Sequence, residues 1–391
     1  MAESLPGRNP FEFGGELKPS SLIDREEELD AVVRTLEQGG ALFLIGPRRY
    51  GKTSILAAAE QRLGDSSVVV LRHDAEVYES LGTLAEALLA AAAKRLTGSL
   101  EMAGAAVKRF AARLRPEVSY DLPEQSIAIR FGLPERAETA ALPVLTDVLN
   151  IVDRLARDNG RRAAIILDEF QQVVLEGGAA AERRIRGTIQ RHHHTSYVFA
   201  GSKTRLLADM TNDPGRAFWK LGTRLFLGAI PRPIWIGFLE RGFSSAGFGA
   251  QSAALSRLLD LAEDVPYNIQ QLANLCWEQQ RGSGGGTLTA ARVGEALARL
   301  IARENAAYTQ IWNSMSRTQK VVLKAVITES GRNLRAQPVL ARYGIAASTM
   351  HKTLKALDDR GLVREEEALG SIHYRLEDPF LGHWLRIVQV W

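Results

Sequence analysis

The sequence predicts an α/β protein: a buried parallel sheet wrapped by helices, then an all-helical stretch, then a small mixed module. Three observations carry this. Short apolar runs recur at 41–45, 68–71, 163–167 and 196–200, the mark of strands covered on both faces. Helical segments separate them, so the connections are of the β-α type that pairs strands in parallel. From 231 to 303 the period is helical throughout, and from Ser316 three helices precede a short alternating segment.

Each element can be justified in order. Residues 1–22, rich in Gly, Pro and Ser, read as an extended arm. Asp24 is the N-cap candidate with Glu27 three residues on, and Leu29, Val32, Val33 and Leu36 repeat at helical spacing until Gly39 and Gly40 stop the helix. The strand 41–45 follows, then a helix over 52–63 and the strand 68–71. Residues 81–114 are alanine-rich and helical. Period two appears at 118–120 and 127–131 around Asp121-Leu-Pro-Glu, a β-hairpin. Helical spacing returns at 143–157, ahead of the third strand. Residues 196–200 are the fourth strand and 225–230 a candidate fifth. The expected domains are therefore 1–230 (α/β, with an insertion at about 81–160), 231–312 (helical) and 313–391 (small and mixed).

Composition narrows the class. A chain of 391 residues exceeds what one core usually organises. Hydrophobic content of 46% and charged content of 24% are globular usage and exclude a fibrous or disordered chain. The single cysteine, Cys276, excludes a disulfide framework and a cysteine-based zinc site, and fits a reducing compartment. No signal peptide is read in the first thirty residues, and the best apolar run, 81–93, is short and broken by Glu86. A cytoplasmic protein without membrane contact is expected. The net charge of +4 sits in the last fifth of the chain, where 12 Lys and Arg face 8 Asp and Glu in 315–391, while 37 face 37 before it.

Between the first strand and its helix stands Gly46-Pro47-Arg48-Arg49-Tyr50-Gly51-Lys52-Thr53-Ser54, the pattern G-x-x-x-x-G-K-[ST]. Glycines let backbone N–H groups curl around phosphate oxygens, and the helix N-terminus adds partial positive charge. Lys52 is placed to reach the β- and γ-phosphates, and the Thr53 hydroxyl to ligate Mg²⁺. The interior Arg48-Arg49-Tyr50 contacts phosphate or a neighbouring domain. A second motif, Ile165-Ile166-Leu167-Asp168-Glu169, ends an apolar strand in two acids at the sheet edge where α/β ligands bind. Asp168 is the candidate Mg²⁺ ligand and Glu169 the candidate general base for an attacking water. Ser202, after the fourth strand, either hydrogen-bonds the γ-phosphate or water, or ends an ordinary turn. ATP and Mg²⁺ are the expected ligands. The triplet His192-His193-His194 reads as a polar loop, since three adjacent side chains cannot converge on one ion from a regular element.

Together Arg25-Glu-Glu-Glu-Leu29, the 46–54 loop, Leu167-Asp-Glu-Phe-Gln171 and Gly201-Ser202 resemble the archaeal-type ATPases, in the STAND/AAA+ branch of P-loop NTPases. The segments 265–272 and 376–385 extend the likeness to roughly residues 10–390. The resemblance implies a P-loop NTPase (AAA+-like) parallel-sheet core, a helical lid and a C-terminal winged-helix domain. It implies that Arg25 and Pro266 flank the adenine and sugar, and that an arginine acts on a neighbour's γ-phosphate. Arg216 and Arg224 lie in the region concerned; Arg224, just before the apolar run 225–230, is the candidate. The insertion at 81–160 departs from the family pattern.

The last module reads as a winged helix on its own residues. Ser316 caps its first helix, Pro338 opens the second and Gly344 ends it, 348–357 is the recognition position, and 361–376, with a turn at Gly370, is the hairpin wing. Lys352, Lys355 and Arg360 lie on or just after the recognition helix, and 316–360 holds nine basic against three acidic residues. DNA is thus one candidate partner. Glu365, Glu366 and Glu367 on the wing would repel phosphates, which favours a second reading: an interaction module coupled to nucleotide state, with a protein partner or a second copy of the chain. The expected activity is ATP hydrolysis, slow without a partner.

Overall fold

The computed structural model of the 391-residue chain describes residues 8–15, 21–64, 66–121, 126–131, 138–368 and 371–388. The expected hairpin turn at 122–125, the turn at Gly370 and part of the arm lie outside the described residues. The chain forms two compact units. One comprises 16–47 and 51–228; the other comprises 1–15, 48–50 and 229–391.

The first unit contains α1 (Glu26–Gln38), β1 (Ala41–Ile45), α2 (Lys52–Arg62) and β2 (Val68–Asp74), then α3 (Leu81–Thr97), α4 (Leu100–Phe110), β3 (Pro116–Asp121), β4 (Ser126–Phe131) and α5 (Glu138–Asp158). It continues with β5 (Arg162–Asp168), α6 (Gln171–Gly177), α7 (Ala179–Ile189), β6 (Thr195–Gly201), α8 (Thr204–Asn212) and β7 (Thr223–Phe226). Five strands pair in parallel in the order β2-β5-β6-β1-β7. The fifth strand spans 223–226 rather than 225–230, because its pairing stops where β1 does, with Phe226 opposite Ile45.

The register places the site. Ile45 pairs with Gly201 and Leu167 with Phe199, so the segments after β1, β6 and β5 leave the sheet at one edge. The insertion extends the same core. Ile127, Ile129 and Phe131 are buried on one face of β4 while Ala128 and Arg130 are exposed, the period of a strand covered on one side. They join Leu84, Leu88 and Leu145 in the cluster that also holds Phe43 and Ile165.

The second unit contains α9 (Arg232–Ser244), β8 (Gly249–Ala250), α10 (Ser252–Ala262), α11 (Pro266–Gly282), β9 (Thr287–Leu288) and α12 (Ala290–Asn313), then α13 (Arg317–Thr328), α14 (Gln337–Tyr343), α15 (Ala347–Asp359), β10 (Val363–Ala368), β11 (Ser371–Leu376) and α16 (Pro379–Val388). The arm is anchored rather than loose: Phe11 is buried against Phe238 and Phe243, and Asn274 Nδ2 donates to its carbonyl at 2.7 Å. Ser316 caps α13 in a capping box with Gln319, and β10 and β11 pair antiparallel as the wing. On α16, Trp384 is buried, with Nε1 donating to Asn305 of α12 at 2.8 Å. Among the described residues no helix is long and apolar enough to cross a membrane.

Candidate active site

The loop after β1 is fixed from both ends. Gly46 N donates to Gly201 O, and a Cβ at Gly46 would lie 2.7 Å from Leu227 Cβ and 3.1 Å from Leu227 O. No side chain fits there. Arg49 and Gly51 adopt left-handed backbone, at φ +67° and +91°. Gly51 does so without steric cost and delivers the chain into α2. Lys52, only 5% exposed, turns back over the loop, with Nζ donating to Gly46 O at 2.9 Å and Pro47 O at 3.0 Å. Ser54 is buried on the same first turn.

The acidic strand meets this loop. Thr53 Oγ1 donates to Asp168 Oδ2 at 2.8 Å, and the Glu169 N–H donates to Asp168 Oδ1 at 3.0 Å. Burial raises the Asp168 pKa above its ordinary value; the Thr53 hydrogen bond and the Lys52 charge work against that rise. A hydroxyl and a carboxylate side by side fit a hard divalent cation, which takes oxygen ligands. Thr53 and Asp168 are the residues that would hold Mg²⁺. Glu169 stands at φ +48°, off the ordinary range for a residue with a side chain. Its Oε2 accepts from Ser202 N at 3.2 Å and Ser202 Oγ at 2.7 Å. Ser202 therefore faces the acid; its strand is seated between β1 and β5.

Other expected residues take definite positions. The Arg25 side chain is buried, with Nη2 donating to Gly228 O at 2.6 Å, Nη1 pairing with Glu28 at 3.0 Å, and Nε without a partner. Pro266 is the first residue of α11. Its neighbour Tyr267 donates its N–H to Arg49 O at 3.3 Å and receives the Arg49 guanidinium over its ring at 5.3 Å. The loop interior, residues 48–50, belongs to the second unit: Arg49 pairs with Asp378 at 3.3 Å, and Tyr50, 6% exposed, lies under the Arg364 guanidinium at 5.7 Å. Arg364 is itself paired with Glu366 at 2.7 Å and Glu377 at 3.6 Å. Arg216 forks onto the buried Glu182, and Arg224 of β7 donates to Asn212 Oδ1 and, at 3.3 Å, to Thr211 O.

The remaining sequence motifs are structural or surface features. The histidine triplet is a loop before β6, where His192 bonds Tyr197 Oη at 2.5 Å and Asn150 Oδ1 at 3.0 Å, and burial lowers its pKa. On α15, Ser348, His351, Lys352 and Lys355 are exposed along one side while Met350, Leu354 and Leu357 are buried. Arg360 is tied to the neighbouring helix, donating to Ser314 Oγ at 2.6 Å and Gln319 Oε1 at 3.3 Å. Of the wing acids, Glu366 is balanced by Arg364 and Arg375, and Glu365 accepts a hydrogen bond from Tyr374 Oη. Sequence reading missed Gln171 as a site residue, Asp378 as a hub and the β8–β9 ladder.

The fold is that of a P-loop, AAA+-like parallel sheet followed by a C-terminal winged helix. Residues 21–183 match the AAA ATPase domain family, and residues 306–387 match the probable winged helix domain family. The Walker-type ATPase of Pyrococcus abyssi is similar in structure, with a TM-score of 0.61 and 18% identity over 96% of this chain and 99% of that one. So is the Aeropyrum pernix ORC2 protein in its ADPNP-ADP complexes, with a TM-score of 0.58 and 17% identity over 97% and 96%. The Aeropyrum pernix ORC1 protein in complex with DNA follows, with a TM-score of 0.50 and 16% identity over 96% and 94%. No curated protein sequence matches the chain.

Proposed function

We propose that the chain binds ATP with Mg²⁺ and hydrolyses it slowly, as a STAND-type switch that passes its nucleotide state to the C-terminal unit. One observation carries the coupling: the tip of the phosphate loop, residues 48–50, packs with that unit, Arg49 on Asp378 and Tyr267, and Tyr50 under Arg364. A triphosphate entering the loop takes over Lys52 Nζ from the carbonyls of Gly46 and Pro47. It also draws on the N–H groups at the start of α2. Mg²⁺ held by Thr53 and Asp168 would neutralise phosphate charge. Glu169 accepts the proton of the attacking water, and the Ser202 hydroxyl orients that water or the γ-phosphate. Arg25 and Pro266 flank the base and sugar. A second copy supplies the finger; Arg224 is the candidate, because Arg216 is ion-paired with the buried Glu182 while Arg224 bonds only the neutral acceptors of Asn212 and Thr211.

The test is phosphate release and nucleotide binding by purified protein. Lys52→Ala is expected to lose ATP binding. Glu169→Gln is expected to bind ATP and release no phosphate. Hydrolysis at the wild-type rate by Glu169→Gln would remove the base assignment.

A second reading adds DNA. It rests on the exposed side of α15, where Lys352 and Lys355 stand beside Ser348 and His351 at the recognition position of a winged helix. The pairing of Glu366 with Arg364 and Arg375 lessens the repulsion that the wing acids alone imply.

A further inference from the structure

Gln171 opens α6 two residues beyond Glu169 and is 1% exposed. Its Nε2 donates to Glu169 Oε2 and lies 3.4 Å from Ser202 Oγ. Ser202 donates to the same Glu169 oxygen through both N and Oγ. A single carboxylate oxygen thus collects three donors from two chain segments. Phe170 N bonds to Ala200 O at 2.8 Å, which seats the start of α6 against the end of β6. Gly201 makes room: a Cβ there would lie 2.2 Å from Gln171 Oε1. That Oε1 is buried without a partner. An unpartnered buried amide oxygen is destabilising, and an apolar side chain of the same length avoids it. The unpartnered oxygen weighs against an amide at this position, and the contact at Nε2 weighs for it. The work left for it is at Nε2, on Glu169.

We propose that Gln171 is a positioning residue for ATP hydrolysis, holding the Glu169 carboxylate by Oε2 in one orientation toward the water. The inference rests on the reading of Glu169 as general base. That residue is otherwise hard to hold, since its backbone sits at φ +48° and the loop around it is short. General-base catalysis contributes about 10²–10⁴-fold only when the base is aligned. Loss of one tether of three forfeits part of that factor. Binding is spared, because Gln171 bonds to the acid and not to the phosphate loop.

The experiment uses the full chain. Gln171→Met keeps the length of the side chain and removes the donor. Its expected kcat for Mg-ATP is roughly tenfold lower with KM within about twofold, and combining it with Glu169→Ala gives no further loss. A second measurement needs no turnover. In thermal unfolding of ligand-free protein, the shifts of Gln171→Met and Glu169→Ala are non-additive, because both remove the same hydrogen bond. If Gln171→Met does not fold, Gln171→Asn keeps the amide, falls short of Glu169 and carries the same expectation. Unchanged kcat, additive shifts, or a loss confined to KM overturns the proposal. A wild type that binds ATP and releases no phosphate overturns the hydrolytic reading and the positioning role with it; non-additive unfolding then still marks the contact itself.

Discussion

Asp378 gives the sharpest test of how the C-terminal unit is held. Its Oδ1 accepts from Phe380 N at 3.0 Å and Asn268 Nδ2 at 3.2 Å, and its Oδ2 accepts from Tyr308 Oη at 3.1 Å and pairs with Arg49 at 3.3 Å. Asn268 is 0% exposed, and Tyr308 is buried. Asp378→Ala strands both donors, and Asn268 Oδ1 already lacks a partner. Each stranded buried group costs about 1–3 kcal/mol, so the substitution is expected to cost about 4 kcal/mol. Arg49→Ala removes the ion pair, whose guanidinium is 35% exposed, and the contact over the Tyr267 ring. The exposed pair is worth about 0.5 kcal/mol and the partly exposed cation–π contact about 0.5 kcal/mol. For a unit of this size 1 kcal/mol moves the melting temperature by about 2–4 °C. Thermal unfolding followed by tryptophan fluorescence should show the transition of this unit roughly 10 °C lower for Asp378→Ala and about 2–4 °C lower for Arg49→Ala. Small, equal shifts for both variants would refute the hub and leave Asp378 as a surface acid.

Three further outcomes are expected. Gly46→Ala forces a Cβ against Leu227 Cβ and O, so calorimetry should show weakened ATP binding together with about 1–3 kcal/mol of lost stability. His73 is desolvated beside Tyr78 Oη, and its pKa is lowered from 6.5 to about 4, Glu60 opposing the fall. The folded state therefore holds it neutral, the unfolded state takes up the proton first, and stability falls as pH drops from about 6.5 to about 4. The loss is about 3 kcal/mol at full protonation; denaturant titrations across that window should show a slope that His73→Gln flattens. For DNA, anisotropy at several salt concentrations should lose about 2 from the log K against log salt slope in the Lys352→Ala/Lys355→Ala double variant. Arg360→Ala should leave that slope alone, since Arg360 is spent on Ser314 and Gln319.

The legible parts of the sequence are those that obey a local rule. Apolar runs between breakers located β1, β5 and β6, and G-x-x-x-x-G-K-[ST] located the loop, because backbone curvature and phosphate chemistry both constrain neighbours in the chain. Ser316, Pro338 and Gly344 marked helix ends for the same reason. The two-residue strands β8 and β9 carry no period to read, and their pairing joins residues nearly forty apart. Asp378 reads as one acid before a proline. Its meaning comes from Arg49, Asn268 and Tyr308, which only the fold assembles. Gln171 escaped likewise, since an amide at a helix start has no chemistry until Glu169 and Ser202 surround it.

The interior of the phosphate loop is where these readings meet. The motif constrains Gly46, Gly51, Lys52 and Thr53, and leaves the side chains at positions 47–50 unspecified. This chain fills three of them with large side chains, of which Arg49 and Tyr50 are engaged by the C-terminal unit. The Arg49–Asp378 pair is worth about 0.5 kcal/mol as a partly exposed ion pair. The Arg364–Tyr50 contact is worth about 0.5–2 kcal/mol, toward the upper end because both partners are buried. Together they amount to roughly 2–2.5 kcal/mol, a bias of about thirty- to seventyfold, which falls inside the range of allosteric coupling energies. On the proposed switch reading, contacts of that size are small enough for phosphate contacts at Lys52 to outweigh them, and a much stronger set would hold the loop against nucleotide.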